Sequence, residues 1–248
     1  MRADVRQVAD GTYLVRGSNT NWVILTEGDA VTLIDTGYPA DRRRLLDSLA
    51  AVGAAPEAVT AVLITHAHND HLGSAEYLRA EFGTPVFLHR AEVPHARREF
   101  LHQVSVGRVL RNGWRPGVLP WAAHVVRAGG TARNPVADPL PFPRAGALDL
   151  PGRPVPVHTP GHTRGHCAYH LPHAGAVITG DALVSGHPTS RVRGPQLLPV
   201  MFDHERARAV DSLDVLAGLD GDLLLPGHGP AHRGPVRAAA RLARERAL

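Results

Sequence analysis

The stretch Thr65-His66-Ala67-His68-Asn69-Asp70-His71-Leu72-Gly73, preceded by the apolar run Ala61-Val62-Leu63-Ile64, decides how this chain is read. A short, fully apolar run reads as a strand buried on both faces, and the polar residues after it as the loop at its end. In an extended chain His66 and His68 project to the same side, while Asp70 and His71 lie where the chain turns into a helix. Three imidazoles and a carboxylate within six residues are costly to crowd together, because protonated histidines repel one another and neutral ones need partners. A divalent cation removes both costs. Imidazole with carboxylate is the donor set zinc takes when thiolate is absent.

Working outward, three later segments share one form. Thr159-Pro-Gly-His162-Thr163, Thr179-Gly-Asp181 and Leu225-Pro-Gly-His228-Gly229 each follow a short apolar run, turn at a glycine and end on a side chain able to bind metal. Each therefore delivers a donor to one edge of a sheet. The candidate metal ligands are His66, His68, Asp70, His71, His162, Asp181 and His228. The chain holds sixteen histidines; His158, His166 and His170 stand near these motifs without matching them and read as hydrogen-bonding or surface residues. Asp35, at the end of the run from Val31, is read as backing the site through hydrogen bonds.

The remaining pattern supplies the frame. Val5 to Val8, Thr12 to Arg16, Asn21 to Thr26 and Ala30 to Asp35 read as antiparallel strands separated by Asp-Gly and Glu-Gly-Asp turns,. Helices are predicted from Pro39 to Leu49 and Gly73 to Phe82, with a strand from Pro85 to Leu88. The stretch from Ala91 to Ala128 is helical but interrupted by Gly113, Pro116 and Pro120, and Gly129 to Gly146 reads as loop. Strands resume at Val155 to His158, His166 to Leu171 and Ala176 to Thr179. A helix runs from Asp203 to Leu216, Leu223 to Leu225 is the last buried strand, and Val236 to Arg246 is an amphipathic helix. Both halves place strands first and strand with helix afterwards, which suggests two related layers in one domain covering 1–248.

Composition narrows the function. The 248 residues are 44% hydrophobic, enough for a sizeable core,. No run approaches the ~18 apolar residues of a membrane span, and no signal-peptide stretch follows Met1, so the expectation is a cytoplasmic protein with no membrane partner. All 27 basic residues are arginine, which removes a phosphate-binding-loop lysine and a lysine Schiff base. The runs Arg42-Arg43-Arg44 and Arg97-Arg98 read as solvated helix faces, so no nucleic-acid partner is expected. The single cysteine, Cys167, lies in a predicted strand and reads as core,. No Gly-x-Ser-x-Gly elbow occurs.

The motifs and their order resemble the metallo-β-lactamase superfamily, whose His-x-His-x-Asp-His signature stands here as His66-Ala-His-Asn-Asp-His71. Leu33-Ile-Asp-Thr-Gly37, Pro160-Gly-His-Thr163, Thr179-Gly-Asp181 and Pro226-Gly-His-Gly229 match further landmarks, so the resemblance covers nearly the whole chain. It implies an α/β fold of the four-layer αβ/βα sandwich type. It further implies one metal on His66, His68 and His162, a second on Asp70, His71 and His228, and Asp181 bridging them. Two Zn2+ ions are implied, with Mn2+ or Fe2+ as other divalent candidates. The implied reaction is attack of a metal-bridging hydroxide on an ester, thioester or lactone, with Asp70 as the catalytic residue that orients the nucleophile and shuttles its proton.

Asp181 resembles the bridging aspartate of the glyoxalase II, lactonase and thioesterase branches and ranks β-lactam hydrolysis low. Against glyoxalase II stand the short stretch after His228 and the lack of lysine. Against acyl homoserine lactonases stands Val184, where that branch has a tyrosine. Two other readings stay open: a mononuclear iron oxidoreductase resembling the persulfide dioxygenases, using His66 or His68 with His162 and Asp181, and a non-catalytic binding module on the same fold. The complete set of seven ligands favours the dinuclear hydrolase. Residues 91–146 are expected to form a helical lid over a small-molecule site. There Leu110, Trp114, Leu119 and Trp121 would line an apolar wall for a hydrophobic acyl ester or thioester, with the alternative that the tryptophans anchor the segment. Arg191 and Arg193 would meet an anionic tail or face water.

Overall fold

A computed structural model describes residues 4–143 and 145–247. Strands β1 (Asp4–Ala9), β2 (Thr12–Arg16), β3 (Asn21–Glu27) and β4 (Ala30–Ile34) form the expected antiparallel meander. The chain then crosses over through α1 (Arg42–Ala51), so that β5 (Val59–Leu63) lies parallel to β4. Next come α2 (Asn69–Leu72), α3 (Ala75–Phe82) and β6 (Val86–Leu88), again parallel. The expected helix from Gly73 to Phe82 is α3, and the short α2 is set apart from it at Gly73, which carries the chain against another backbone: a Cβ there would lie 2.3 Å from the Gly37 carbonyl oxygen.

The interrupted stretch holds α4 (Val93–Ala96), α5 (Val106–Arg111) and α6 (Val118–Arg127). The expected loop after it contains β7 (Leu140–Pro141), which pairs parallel to β6 and completes a seven-stranded sheet. The second sheet has the order β12-β11-β10-β9-β8. It is built from β8 (Val155–His158), β9 (Cys167–Leu171), β10 (Ala176–Gly180), β11 (Leu223–Pro226) and β12 (His232–Arg233), with α7 (Arg206–Ala217) and α8 (Val236–Ala247) on its outer face. β11 is the last buried strand, and the more exposed β12 follows it. The sequence hides β7 and β12 because two residues are too few to display a period.

Strand alternation explains the four layers. On β3, Trp22 and Ile24 face α1 and α3, while Val23 and Leu25 face the second sheet,. Leu63 on β5 and Ile178 and Leu225 on β10 and β11 meet in the layer between the sheets. Val177 and Leu224 point the other way, onto Leu213, Leu216 and Ala240 of the outer helices. Burial on both faces is why these strands read as unbroken apolar runs. Among the described residues no helix is long and apolar enough to cross a membrane.

Candidate metal centre

The loops that follow β5, β8, β10 and β11 meet at one edge of the two packed sheets, and they bring all seven predicted ligands together. His66 Nε2 lies 2.9 Å from His68 Nδ1, which lies 3.1 Å from His162 Nε2. Zinc bonded to three imidazoles at 2.0–2.1 Å requires nitrogens about 3.3 Å apart, close to this spacing. Across from them, Asp70 Oδ2 is 3.8 Å from His71 Nε2 and 3.5 Å from His228 Nε2. Asp181 stands between the clusters: its Oδ2 is 3.5 Å from His162 Nε2 and 3.3 Å from His228 Nε2, and its Oδ1 is 3.4 Å from His71 Nε2. His71 Nε2 and Asp181 Oδ1 are buried with no hydrogen-bond partner among the described residues. Buried polar atoms are otherwise satisfied, so these two atoms fit ligation by a cation. The turn at Gly227 makes room for them, since a Cβ there would lie 2.5 Å from Asp181 Oδ1.

The imidazole nitrogens pointing away from the centre are held by acceptors, which fixes the tautomers. His71 Nδ1 bonds Asp35 Oδ2 at 2.8 Å, His228 Nδ1 bonds the Asn19 carbonyl at 2.6 Å, and His68 Nε2 bonds the His102 carbonyl. Thr65 links a fourth: its hydroxyl donates to Asp35 Oδ2 at 2.8 Å and lies 3.1 Å from His66 Nδ1. Asp35 thus backs the site as read from the sequence, and it does so from a left-handed conformation (φ 63°) held by a further bond from Thr65 N–H at 2.8 Å,.

The electrostatics match a site that expects cations. Burial, then the neighbouring histidines His71, His68 and His162, hold His66 well below the ordinary imidazole range, and burial with His162 does the same to His68. Burial also opposes charge on His71 and His228, but the carboxylates outweigh it, Asp181 foremost, and raise both. Burial would raise the Asp181 carboxyl; His228 and His71 overcome it and hold the group well below the usual carboxylate range. Asp181 is therefore an anion among imidazoles, and a bound cation would displace any proton they carry.

Several residues that sequence reasoning missed support the centre. Glu92 accepts from Ala67 N–H and Gly165 N–H, both at 2.9 Å, and so ties two ligand loops together. Arg98 corrects the reading of Arg97-Arg98 as a solvated face: it is buried, donating to the Ala67 carbonyl at 2.7 Å and to Asn69 Oδ1 at 2.5 Å. Asn69 Nδ2 donates to the Gly130 and Ala132 carbonyls at 2.8 Å. Tyr38 lines the cavity beside Asp70. Burial, then the carboxylates of Asp70 and Asp181, raise its phenol well above the usual range and keep it protonated. Its signal in the sequence was only its place directly after Leu33-Ile-Asp-Thr-Gly37. His166 bonds Thr159 Oγ1 at 2.9 Å and accepts from Asp181 N–H at 3.0 Å, as a hydrogen-bonding residue should. Cys167 is buried core, and burial pushes its thiol up to about 12.

A cavity of about 330 Å³ opens over the centre. Its floor is His68, Asp70, His162, Asp181 and His228, and its walls are apolar, with Val109, Leu110, Leu119, Trp121, Val125 and Phe202 among them. Leu110, Leu119 and Trp121 stand where the sequence put them, and Trp121 is also buried against Phe202, ring centroids 5.1 Å apart. Trp114 corrects the expectation: it is 78% exposed and outside the cavity lining. Arg191 and Arg193 are exposed and also outside it.

Residues 15–228 match the family model of the metallo-beta-lactamase superfamily. The chain belongs to that superfamily. Metallo-beta-lactamase domain-containing protein 1 of Xenopus laevis is 31% identical over 212 residues, covering 85% of this chain and 71% of the relative. The probable metallo-hydrolase YflN of Bacillus subtilis (strain 168) is 23% identical over 213 residues, covering 82% and 77%. A metallo-beta-lactamase family protein from Thermus thermophilus superposes with a TM-score of 0.69 at 27% identity, over 97% of this chain and 80% of that one. The metallo-β-lactamase fold, an αβ/βα sandwich, is thus the architecture of this chain, and the family implies a divalent metal and hydrolytic chemistry.

Proposed function

We propose that this protein is a dinuclear metal-dependent hydrolase of esters or thioesters with a hydrophobic acyl group. The observation that carries the proposal is the pair of donor clusters sharing Asp181 at the floor of an apolar cavity. His66, His68 and His162 would hold one ion, Asp70, His71 and His228 the other, and Asp181 both. Five imidazoles and two carboxylates suit Zn2+, with Mn2+ or Fe2+ as alternatives. Two such ions, when bound, lower the pKa of a shared water from 15.7 toward about 7 and polarise the acyl carbonyl.

The residues of the chain do the rest. The apolar walls seat the acyl group and exclude bulk water from the reacting carbon. Asp70, the most exposed carboxylate of the centre at 20% of its side chain, faces that space. It orients the attacking water, takes its proton and passes it to the departing alkoxide or thiolate as the acyl carbon exchanges its C–O or C–S bond for one to the water oxygen. Tyr38 stands beside Asp70 in the cavity lining, its phenol protonated. Within the stretch after Ala91, α5 and α6 act as the lid that selects the acyl group.

The test combines metal analysis with a substrate panel of p-nitrophenyl esters, acyl thioesters, acyl homoserine lactones and β-lactams. Two equivalents of divalent metal are expected. kcat/KM should rise by about fourfold per added methylene, the value of about 0.8 kcal/mol of apolar burial, until the cavity is full. One equivalent of iron with oxygen uptake on a persulfide would replace this reading with the dioxygenase one.

A further inference from the structure

From Leu101 to Ala137 the sequence carries five arginines, Arg108, Arg111, Arg115, Arg127 and Arg133, and no acidic residue. The loop 186–195 adds Arg191 and Arg193, again without an acid. The fold joins the two stretches, because at the start of α6 a Cβ on Gly117 would lie 2.1 Å from the Pro188 carbonyl oxygen. Among the arginines stand the most exposed large apolar side chains of the described residues: Trp114 at 78%, Val106 at 75% and Leu110 at 69%, with Leu119 and Val126 beside them. Val106, Leu110, Leu119 and Val126 also form the mouth of the cavity, and Trp114 lies on the turn between α5 and α6. A clustered apolar patch of this kind marks a place of interaction.

We propose that the α5–α6 hairpin, with the loop 186–195, docks the protein on an anionic lipid surface. The charge pattern selects this occupant. Arg111 and Arg115, on either side of Trp114 in a stretch without an acid, are attracted to phosphate headgroups,, and Trp, Leu and Val between them are the side chains that enter the boundary between headgroup and acyl chains. A second copy of this chain is disfavoured by the same pattern, since a two-fold contact about Trp114 would set Arg111 and Arg115 against their own copies. Docking in this way turns the mouth of the cavity toward the acyl layer. It requires no membrane span, and so it revises the expectation of no membrane partner, which rested on the lack of a long apolar run. It also stands independently of the reaction catalysed.

The test is co-sedimentation of the full chain with vesicles of phosphatidylcholine alone and of phosphatidylcholine mixed with phosphatidylglycerol. Binding to the mixed vesicles alone is expected, with a blue shift of tryptophan emission that is absent in Trp114→Phe. Binding should weaken by about tenfold or more as salt approaches roughly 1 M, where the Debye length falls to about 3 Å. Trp114→Ser, and Arg111→Glu combined with Arg115→Glu, should each weaken it by about tenfold or more; these exposed positions leave the core intact, which circular dichroism checks. Failure of the folded parent to bind mixed vesicles at low salt would overturn the proposal. So would equal binding by Trp114→Ser, which would reduce the effect to diffuse charge attraction. A concentration-dependent dimer lost in Trp114→Ser, without vesicle binding, would assign the face to a second copy instead.

Discussion

Replacing Asp35 by Asn tests whether one carboxylate sets the tautomers of two ligand histidines. Asn keeps the size of the side chain and tolerates φ near 63°,, but it turns one acceptor oxygen into an NH2 donor. Asp35 Oδ1 accepts from Thr65 N–H, and Oδ2 accepts from both the Thr65 hydroxyl and His71 Nδ1. With the amide oxygen in the first position, the NH2 faces His71, whose Nδ1 must then accept. Its proton moves to Nε2, the nitrogen 3.4 Å from Asp181 Oδ1. The Thr65 hydroxyl likewise turns toward His66 Nδ1, and that proton moves to Nε2 as well. Both ligating nitrogens lose their lone pairs. With the amide reversed, its NH2 meets Thr65 N–H, and a buried donor left unpaired costs about 1–3 kcal/mol. Either outcome weakens metal binding; partners of this kind are worth roughly 10- to 100-fold, about 1.4–2.8 kcal/mol. Metal per chain after dialysis against a graded chelator measures the effect, and thermal unfolding checks that the fold survives. Thr65→Val should disturb the His66 cluster and spare the His71 cluster. If Asp35→Asn held both metals with parental affinity, the relay through Thr65 and His71 would be wrong.

Asp70→Asn should lower kcat by about 10²–10⁴-fold with little change in KM, because proton transfer is completed only in the transition state; steady-state kinetics on the best ester of the panel decides this. Trp121→Ala should cost about 3–5 kcal/mol of stability and shift acyl preference, whereas Trp114→Ala should leave both unchanged, as thermal unfolding and the panel will record. Burial, then His162, brings His166 down to about 3, and burial, then His228, does the same to His187. The unfolded chain therefore binds these protons first, so stability of the metal-free protein should fall as pH drops below about 6.5. Each group contributes about 1.4 kcal/mol per pH unit down to about 3. Urea midpoints that stay level from pH 7 to pH 5 would contradict this.

The sheets were legible because strands buried on both faces leave unbroken apolar runs, and the ligands because each group follows such a run, directly at His66 to His71 and across a glycine turn at His162, Asp181 and His228. Other features depend on contacts distant in sequence. Arg98 sits in an Arg-Arg pair that looks solvated, and only its tertiary acceptors, the Ala67 carbonyl and Asn69 Oδ1, make its burial tolerable,. Trp121 and Trp114 look alike in an interrupted stretch, yet helical phase separates them. Trp121 shares the buried face of α6 with Val118, three residues earlier, while Trp114 lies in a turn that has no period to fix its direction.

The segment 91–146 does two physical jobs that fall on different parts of it. The near part is built into the metal centre: Glu92 binds the backbone of two ligand loops, Arg98 braces the loop of His66 and His68, and the His102 carbonyl orients His68. Burial would raise the Glu92 carboxyl, but its bonds, that with His95 first, hold it well below the usual range as a fixed anion. Change there disturbs ligation, since removing one partner of a buried charged network leaves the others unsatisfied. The far part, α5 and α6, bonds no ligand side chain; it walls the cavity with Leu110, Leu119 and Trp121 and exposes much of its remaining surface. Its side chains have fewer buried partners to lose. Side chains on α5 and α6 can therefore vary while the donor-bearing loops beneath stay fixed, which is how one centre can be joined to different cavity walls.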